Sequence, residues 1–305
     1  VLKLDRTRVR LVICDNQSPN KSIDKIVSWL NGDLALDFGD DPRVELLLPC
    51  AAKPLPYQLV DEAELASADY QQGTITIIRN QHNYGYAGGN NVGIRYALGD
   101  PLCGAIWLLN NDVVVTRSAL EQLLPHLSGQ CGIVGSRVLN YSDGSLQLAG
   151  GSHYNCNNGK SRPLRTEEAA AGELDYVSGC AMLLSPQLLL DVGFLSEEYF
   201  LYYEEIDLAM RARQQGYTLG YANDSIVYHQ HGATIGATAL ADFYLIRSRL
   251  RFSRKFFPSR YPLVLWSVFQ TACYRLLCGK WKRAHMMLRL MVDPGLDYDQ
   301  ARWGD

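Results

Sequence analysis

Short apolar runs, each ending in a polar cluster and followed by a helical pattern, recur between Val9 and Val138, and this alternation constrains the fold most. Strands that alternate with helices bury both partners only as an α/β sheet, mostly parallel, with helices on its faces. The first unit is a strand from Val9 to Cys14, a turn Asp15-Asn16-Gln17-Ser18-Pro19, and a helix with Ile23, Ile26, Val27 and Leu30 at helical spacing. Strands at Thr74–Arg79, Ala105–Leu109 and Ile133–Val138 follow, with helices between them, one presenting Leu120, Leu123, Leu124 and Leu127 on one face. Asp33 to Gly73 is rich in Asp, Pro and Ala, with only Val44–Leu48 strand-like, and reads as an irregular insertion. Beyond a loop from Tyr141 to Arg162, a strand Tyr176–Leu184, a helix entered through Phe200–Leu208 and a strand Ser225–Tyr228 precede a helical, basic stretch from about Thr238. Two regions are expected: an α/β domain over 1–237 and a helical extension over 238–305.

With 305 residues, 47% of them hydrophobic, the chain can bury a large core, which excludes disorder as its default state. Its eight cysteines form no CxxC pair, and several sit inside apolar runs, as buried thiols of a reducing compartment do. Val1–Val12 has no secretory-signal pattern, so a cytoplasmic location is expected, peripheral on the inner face of the membrane if the basic tail binds lipid. The formal net charge of −3 is unevenly spread. Phe243–Val292 holds 11 Lys and Arg and no Asp or Glu, leaving 18 basic against 32 acidic residues elsewhere. The two parts should meet different partners.

Ligands of parallel α/β sheets bind beyond the carboxyl ends of strands, so the polar clusters there carry the functional signal. Asp15, Asn16 and Ser18 can bond a base or ribose, although Ser18 reads equally as a helix N-cap. Asn83-Tyr84-Gly85-Tyr86-Ala87-Gly88-Gly89-Asn90-Asn91 places glycines before a helix, where backbone N–H groups can approach a diphosphate; plain turn chemistry is the alternative. Asn110, Asn111 and Asp112 end a strand with a carboxylate able to hold a divalent cation, or else form an ordinary turn. Glu204, Glu205 and Asp207 open a helix whose dipole keeps carboxylates ionised, and an ionised carboxylate suits a general base. Asp207 and Arg211, four residues apart, equally suit a helix salt bridge. Glu204 and Glu205 point about 100° apart on a helix, so one of them should face a cleft. His229 ends another strand and suits manganese better than magnesium.

These stretches together resemble glycosyltransferase family 2, and within it the rhamnosyltransferase-like branch that builds surface polysaccharides. Val12–Ser18 looks like the family's nucleotide-binding strand and turn, and Asn83–Gly93 like its NxGxAGGNNxG segment. Leu108–Val113 resembles LLNNDV, a form of the DxD metal motif; Val177–Ala181 is similar to the VSGxx strand and Phe200–Arg211 to FLYxExxDLxxR. The resemblance implies a GT-A fold and an inverting, metal-dependent transfer from a nucleotide-diphosphate sugar, dTDP-L-rhamnose being favoured, to a glycan or lipid-linked acceptor. By it, Asp15, Asn16, Ser18, Asn83, Gly85, Ala87, Gly88, Gly89, Asn90, Asn110 and Asn111 would bind donor. Asp112 and His229 would hold Mn2+ or Mg2+, and Glu205, or Glu204 beside it, would be the base, with Asp207 near. Asn110 departs from a strict DxD, and Glu205 stands where Asp is common. The family's first strand, of VSVVIVxYN type, has no counterpart before Val9, so residues upstream of Val1 are expected to complete the donor site. A non-catalytic nucleotide-sugar binder or scaffold of the same fold is the rival reading.

Phe243–Val292 flanks the apolar run Tyr261–Gly279 with Arg247, Arg249, Arg251, Arg254, Lys255 and Arg260 on one side and Lys280, Lys282 and Arg283 on the other. Such a helix suits an anionic membrane surface or, alternatively, packing on the body or on a second copy as a homodimer. The acidic body and the lack of a binding motif argue against nucleic acid.

Overall fold

The structure, a computed structural model, describes residues 4, 9–37, 39–41, 43–47, 52–68, 70, 73–165, 174–230 and 238–301. The first strand, β1 (Val12–Asp15), leads into α1 (Ser22–Asn31), which buries Leu30 against Ile75 and Ile77. After α2 (Val44–Leu47) come β2 (Tyr57–Asp61) and β3 (Ile75–Arg79), which with β1 form a parallel three-stranded sheet in the order β1-β3-β2. The stretch expected as an irregular insertion therefore supplies a sheet strand, and its strand-like piece is helical instead. Leu59 of β2 is exposed and only Val60 is buried, so this edge strand lacks the apolar alternation that would have announced it.

Helix α3 (Gly85–Leu98) packs on β1 and leads to β4 (Ile106–Leu109), β5 (Val113–Val115), α4 (Ala119–Leu123) and β6 (Cys131–Asn140). Three strands then occupy the stretch expected as a loop: β7 (Leu146–Ala149), β8 (Gly151–Asn155) and β9 (Lys160–Pro163). Small and polar residues dominate them, which concealed their alternation. The expected strand Tyr176–Leu184 is broken at Ser178–Cys180 into β10 (Tyr176–Val177) and β11 (Ala181–Leu184). Helices α5 (Pro186–Val192) and α6 (Glu204–Gln214) precede β12 (Thr218–His229), which starts well before Ser225.

The second sheet runs β4-β11-β6-β12-β5 with β7 beside β6; β6 and β12 pair in parallel and the other pairs are antiparallel. A third small sheet, β10-β8-β9, lies alongside. The α/β class and the helical C-terminal region are as expected. Among the described residues β1 and β4 are the inner edges of two separate sheets and do not pair with each other.

The chain closes with α7 (Ala239–Phe256), α8 (Tyr261–Leu277), α9 (Trp281–Val292) and α10 (Tyr298–Ala301). Phe243, Ile246, Leu250, Val264, Val268, Met287 and Leu290 form their own apolar cluster. Helix α7 serves two cores, because its Phe252 packs into the main cluster with Tyr203, Leu208 and Tyr221.

Candidate active site

A cleft of about 2670 Å³ runs between β1 and β4 along their whole length, is lined by residues from both sheets, and includes the polar residues at the carboxyl ends of these strands. Asn16, Ser18, Gly89, Asn90, Asn110, Asn111, Asp112, Glu204, Glu205 and His229 all line it. Asp15 lies behind this wall: it is buried, and its Oδ2 accepts the Ser18 N–H at 3.1 Å. Asn16 ties the wall together, donating to Gly85 O at 2.8 Å and accepting from Asn80 at 2.7 Å.

The glycine-rich stretch was expected to lie before its helix, whereas α3 begins at Gly85, so Ala87, Gly88 and Gly89 are already helical. Close packing explains the small residues. A Cβ on Gly89 would stand 2.4 Å from the Asn16 side chain, and one on Gly93 would stand 2.8 Å from Cys14 Sγ. Ala87 is fully buried, Gly88 abuts Tyr84, and Asn83 Oδ1 accepts the Gly85 N–H. Asn83, Gly85, Ala87 and Gly88 thus build the wall from behind, and Gly89 and Asn90 face the cleft.

Opposite, Asn110 follows the end of β4 and His229 ends β12. His229 Nε2 lies 3.3 Å from Asp112 Oδ1, and Nδ1 lies 3.1 Å from Gln147 Oε1. With Nδ1–H donating to Gln147, Nε2 presents a lone pair to a buried Asp112 oxygen that has no hydrogen-bond donor. Two acceptors this close repel unless a cation or proton lies between them, and neighbouring ligands at ~2.1 Å from one ion stand about 3 Å apart, so the pair fits a divalent metal. Among the described residues no group of three His, Cys, Asp or Glu could hold one, so a diphosphate and water would have to complete the shell.

Helix α6 enters through a turn in which Phe200, Tyr202 and Tyr203 have φ of 63°, 65° and 75°. Bulky residues in the left-handed region cost about 1–2 kcal/mol each and persist only when fastened. Phe200 O accepts Tyr86 N–H at 2.7 Å, Tyr203 OH donates to Gly159 O, and Ser248 Oγ lies 2.9 Å from Leu201 O and 3.2 Å from Tyr199 O. This turn delivers both carboxyl groups to the cleft, where only one was expected, and they hydrogen-bond each other. Burial raises Glu204 well above the usual carboxylate range, and the neighbouring Glu205 charge adds to it. Burial also pushes Glu205 up to about 7, against hydrogen bonds from backbone and from Glu204. The expectation that the helix dipole keeps both ionised fails, because desolvation outweighs it and favours the protonated form of each, Glu204 the more strongly.

Asp207 is placed elsewhere. It is fully buried, does not line the cleft, and accepts from Tyr199 OH at 2.9 Å, Arg211 Nε at 2.5 Å and Lys255 Nζ at 2.8 Å. The salt-bridge alternative describes it. Three further residues line the cleft: Tyr86 within the glycine-rich stretch, Ser178 within the VSGxx strand, and Gln147, which lies in none of the motifs; Tyr86 OH donates to Gly179 O at 2.5 Å. Nothing in its sequence marks Gln147, but the break at Ser178-Gly179 was visible as a small-residue interruption.

The family model described as Glycosyl transferase family 2 matches residues 59–187. The chain is 25% identical over 224 residues to the "Low-salt glycan biosynthesis hexosyltransferase Agl10" of Haloferax volcanii, covering 71% of this chain and 69% of that protein. Among solved structures it is similar to the mannosyltransferase PcManGT from Pyrobaculum calidifontis in complex with GDP-Man and Mn2+, with a TM-score of 0.46 and 9% identity over 96% of this chain and 90% of that one. It is also similar to GalNAc-T7 with UDP, GalNAc and Mn2+, with a TM-score of 0.45 and 11% identity over 78% of this chain, which spans 47% of that structure's length. The three sheets, their flanking helices and the helical C-terminal region make an α/β fold. The family named by the motifs is the one matched over 59–187, while the curated relative is described as a hexosyltransferase rather than a rhamnosyltransferase.

Proposed function

We propose that this chain is a family 2 glycosyl transferase, a reading the match over residues 59–187 supports, and that it moves a sugar from a nucleotide-diphosphate donor to a hydroxyl of a glycan or lipid-linked acceptor with inversion. One observation carries the reading: two adjacent carboxyl groups, Glu204 and Glu205, face the same cleft as the Asp112–His229 pair. Residues 1–237 would do the chemistry. Asn16, Ser18 and the Gly89-Asn90 face of α3 would hold nucleotide and sugar. A divalent cation held by Asp112 and His229 would, when bound, neutralise charge on the leaving diphosphate.

Glu205, as carboxylate, takes the proton of the acceptor hydroxyl while that oxygen bonds to the anomeric carbon. The bond from that carbon to the diphosphate oxygen breaks with its electron pair on the diphosphate. Protonated Glu204 donates to Glu205 and fixes its orientation. Attack opposite the departing group inverts the anomeric centre.

The resemblance to the rhamnosyltransferase-like branch favours dTDP-L-rhamnose as donor, while the relative's name says only that it moves a hexose, so a panel of nucleotide sugars including dTDP-L-rhamnose, assayed for nucleoside diphosphate release with Mn2+, identifies the donor. Glu205→Gln should lower kcat by about 10²–10⁴-fold with donor affinity retained in calorimetry. Normal turnover by this variant would remove Glu205 from the role. Donor binding without turnover of any sugar by the wild type would favour the non-catalytic alternative.

A further inference from the structure

The outward arc of α8 carries Leu263, Trp266, Phe269, Tyr274 and Leu277, exposed by 46%, 58%, 39%, 63% and 88% respectively. Their spacing puts them on one side of the helix, opposite Val264, Val268 and Ala272, which face α7 and α9. Trp266 and Phe269 stack with ring centroids 5.6 Å apart, so the arc is continuous. An apolar strip of this kind on a helix end of a molecule is a contact surface rather than ordinary scatter.

Charge identifies what it contacts. Arg254 and Arg260 lie exposed near one end of the strip, and Lys280 and Lys282 near the other; none of the four forms an ion pair among the described residues. The neighbouring cations behave differently: Arg275 and Arg283 turn inward to Asp242, and Lys255 to Asp207. Aromatic and aliphatic side chains between two sets of outward cations fit a surface that is apolar beneath an anionic layer. A second copy fits poorly, because it would oppose these cations with its own, in a segment containing no acidic residue. None of the described helices is long and apolar enough to cross a membrane.

We propose that α8 docks this protein on an anionic lipid bilayer, with Trp266, Phe269 and Leu277 inserted among the acyl chains and Arg254, Arg260, Lys280 and Lys282 at the headgroups. The inference does not depend on the sugar-transfer reading. The test is flotation of the full chain with vesicles of phosphatidylcholine containing about 25% phosphatidylglycerol, against pure phosphatidylcholine. The wild type should float with the anionic vesicles, and about 0.5 M salt should weaken binding several-fold. Trp266→Ser with Leu277→Ser, and separately Lys280→Glu with Lys282→Glu, should each weaken partitioning by about tenfold or more while circular dichroism stays unchanged. Equal flotation on both vesicle types, or unchanged flotation of either double variant, overturns the proposal. So does a wild-type dimer in sedimentation that Trp266→Ser with Leu277→Ser turns into monomers without any vesicle binding, since the strip would then be a protein interface.

Discussion

At Glu204 the helix N-terminus favours the carboxylate and burial favours the acid, and burial prevails because the charged form gives up more to desolvation than a dipole of about half a charge returns. Two measurable consequences follow from these raised values. With Glu205 pushed up to about 7, kcat/KM should climb with pH through an inflection near 7 and flatten above it, and Glu205→Gln should lose that inflection. Both folded-state values lie above those of the unfolded chain, so the stability linked to these protons is fully present below the unfolded value near 4.5 and lost as pH rises through the folded values. Glu204→Gln, which cannot ionise, should therefore melt a few degrees above the wild type at pH 8, with the difference vanishing towards pH 5, while its transfer rate falls. A variant melting lower than the wild type at pH 8 would contradict the protonation assigned to the pair. Single residues were legible in proportion to how sharply they ended a strand: Asp112 and His229 stood out, whereas Gln147, which orients His229, sits among small polar residues that mark nothing.

Among the elements, α3 shows why a glycine pattern can be read correctly and explained wrongly. Its glycines permit the helix to seat directly on β1 and the Asn16 turn, a reason invisible without the partner side chains. Gly85 is the most demanding, with φ of 72° and a would-be Cβ 2.2 Å from Phe200 O, in the same turn that feeds Glu204. Gly85→Ala should cost about 2 kcal/mol or more in denaturant unfolding and reduce kcat, since the alanine must push the Phe200 peptide away. Strands buried on both sides, such as β3 and β11, were plain from their apolar runs. The edge strand β2 and the small sheet of β8 and β9 were not, because half-exposed or small-residue strands lack the contrast on which periodicity depends.

Over the whole molecule, α7 joins the C-terminal helices to the α/β body. It contributes Ser248 to the turn before Glu204, Arg251 to Glu198 O at 2.6 Å and Lys255 to buried Asp207. Lys255→Met leaves Asp207 with Arg211 and Tyr199, and should cost about 1–3 kcal/mol of stability and lower kcat with little change in donor KM. An unaltered kcat at full folding would show that α7 bears on the fold alone. The charge asymmetry that announced the extension said nothing of this coupling, which depends on where inward-facing cations find carboxylates. The separation between β1 and β4 has its own consequence. Among the described residues Asn16 follows a strand of one sheet and the Asp112–His229 pair lies at strand ends of the other, so no main-chain ladder of these residues spans the jaws that would grip a donor. Their gap is governed by side-chain packing through α3, which touches both. Amides along that seam should exchange with deuterium faster than those of β11 or β6, and a nucleotide laid across it should slow them by acting as the missing rung.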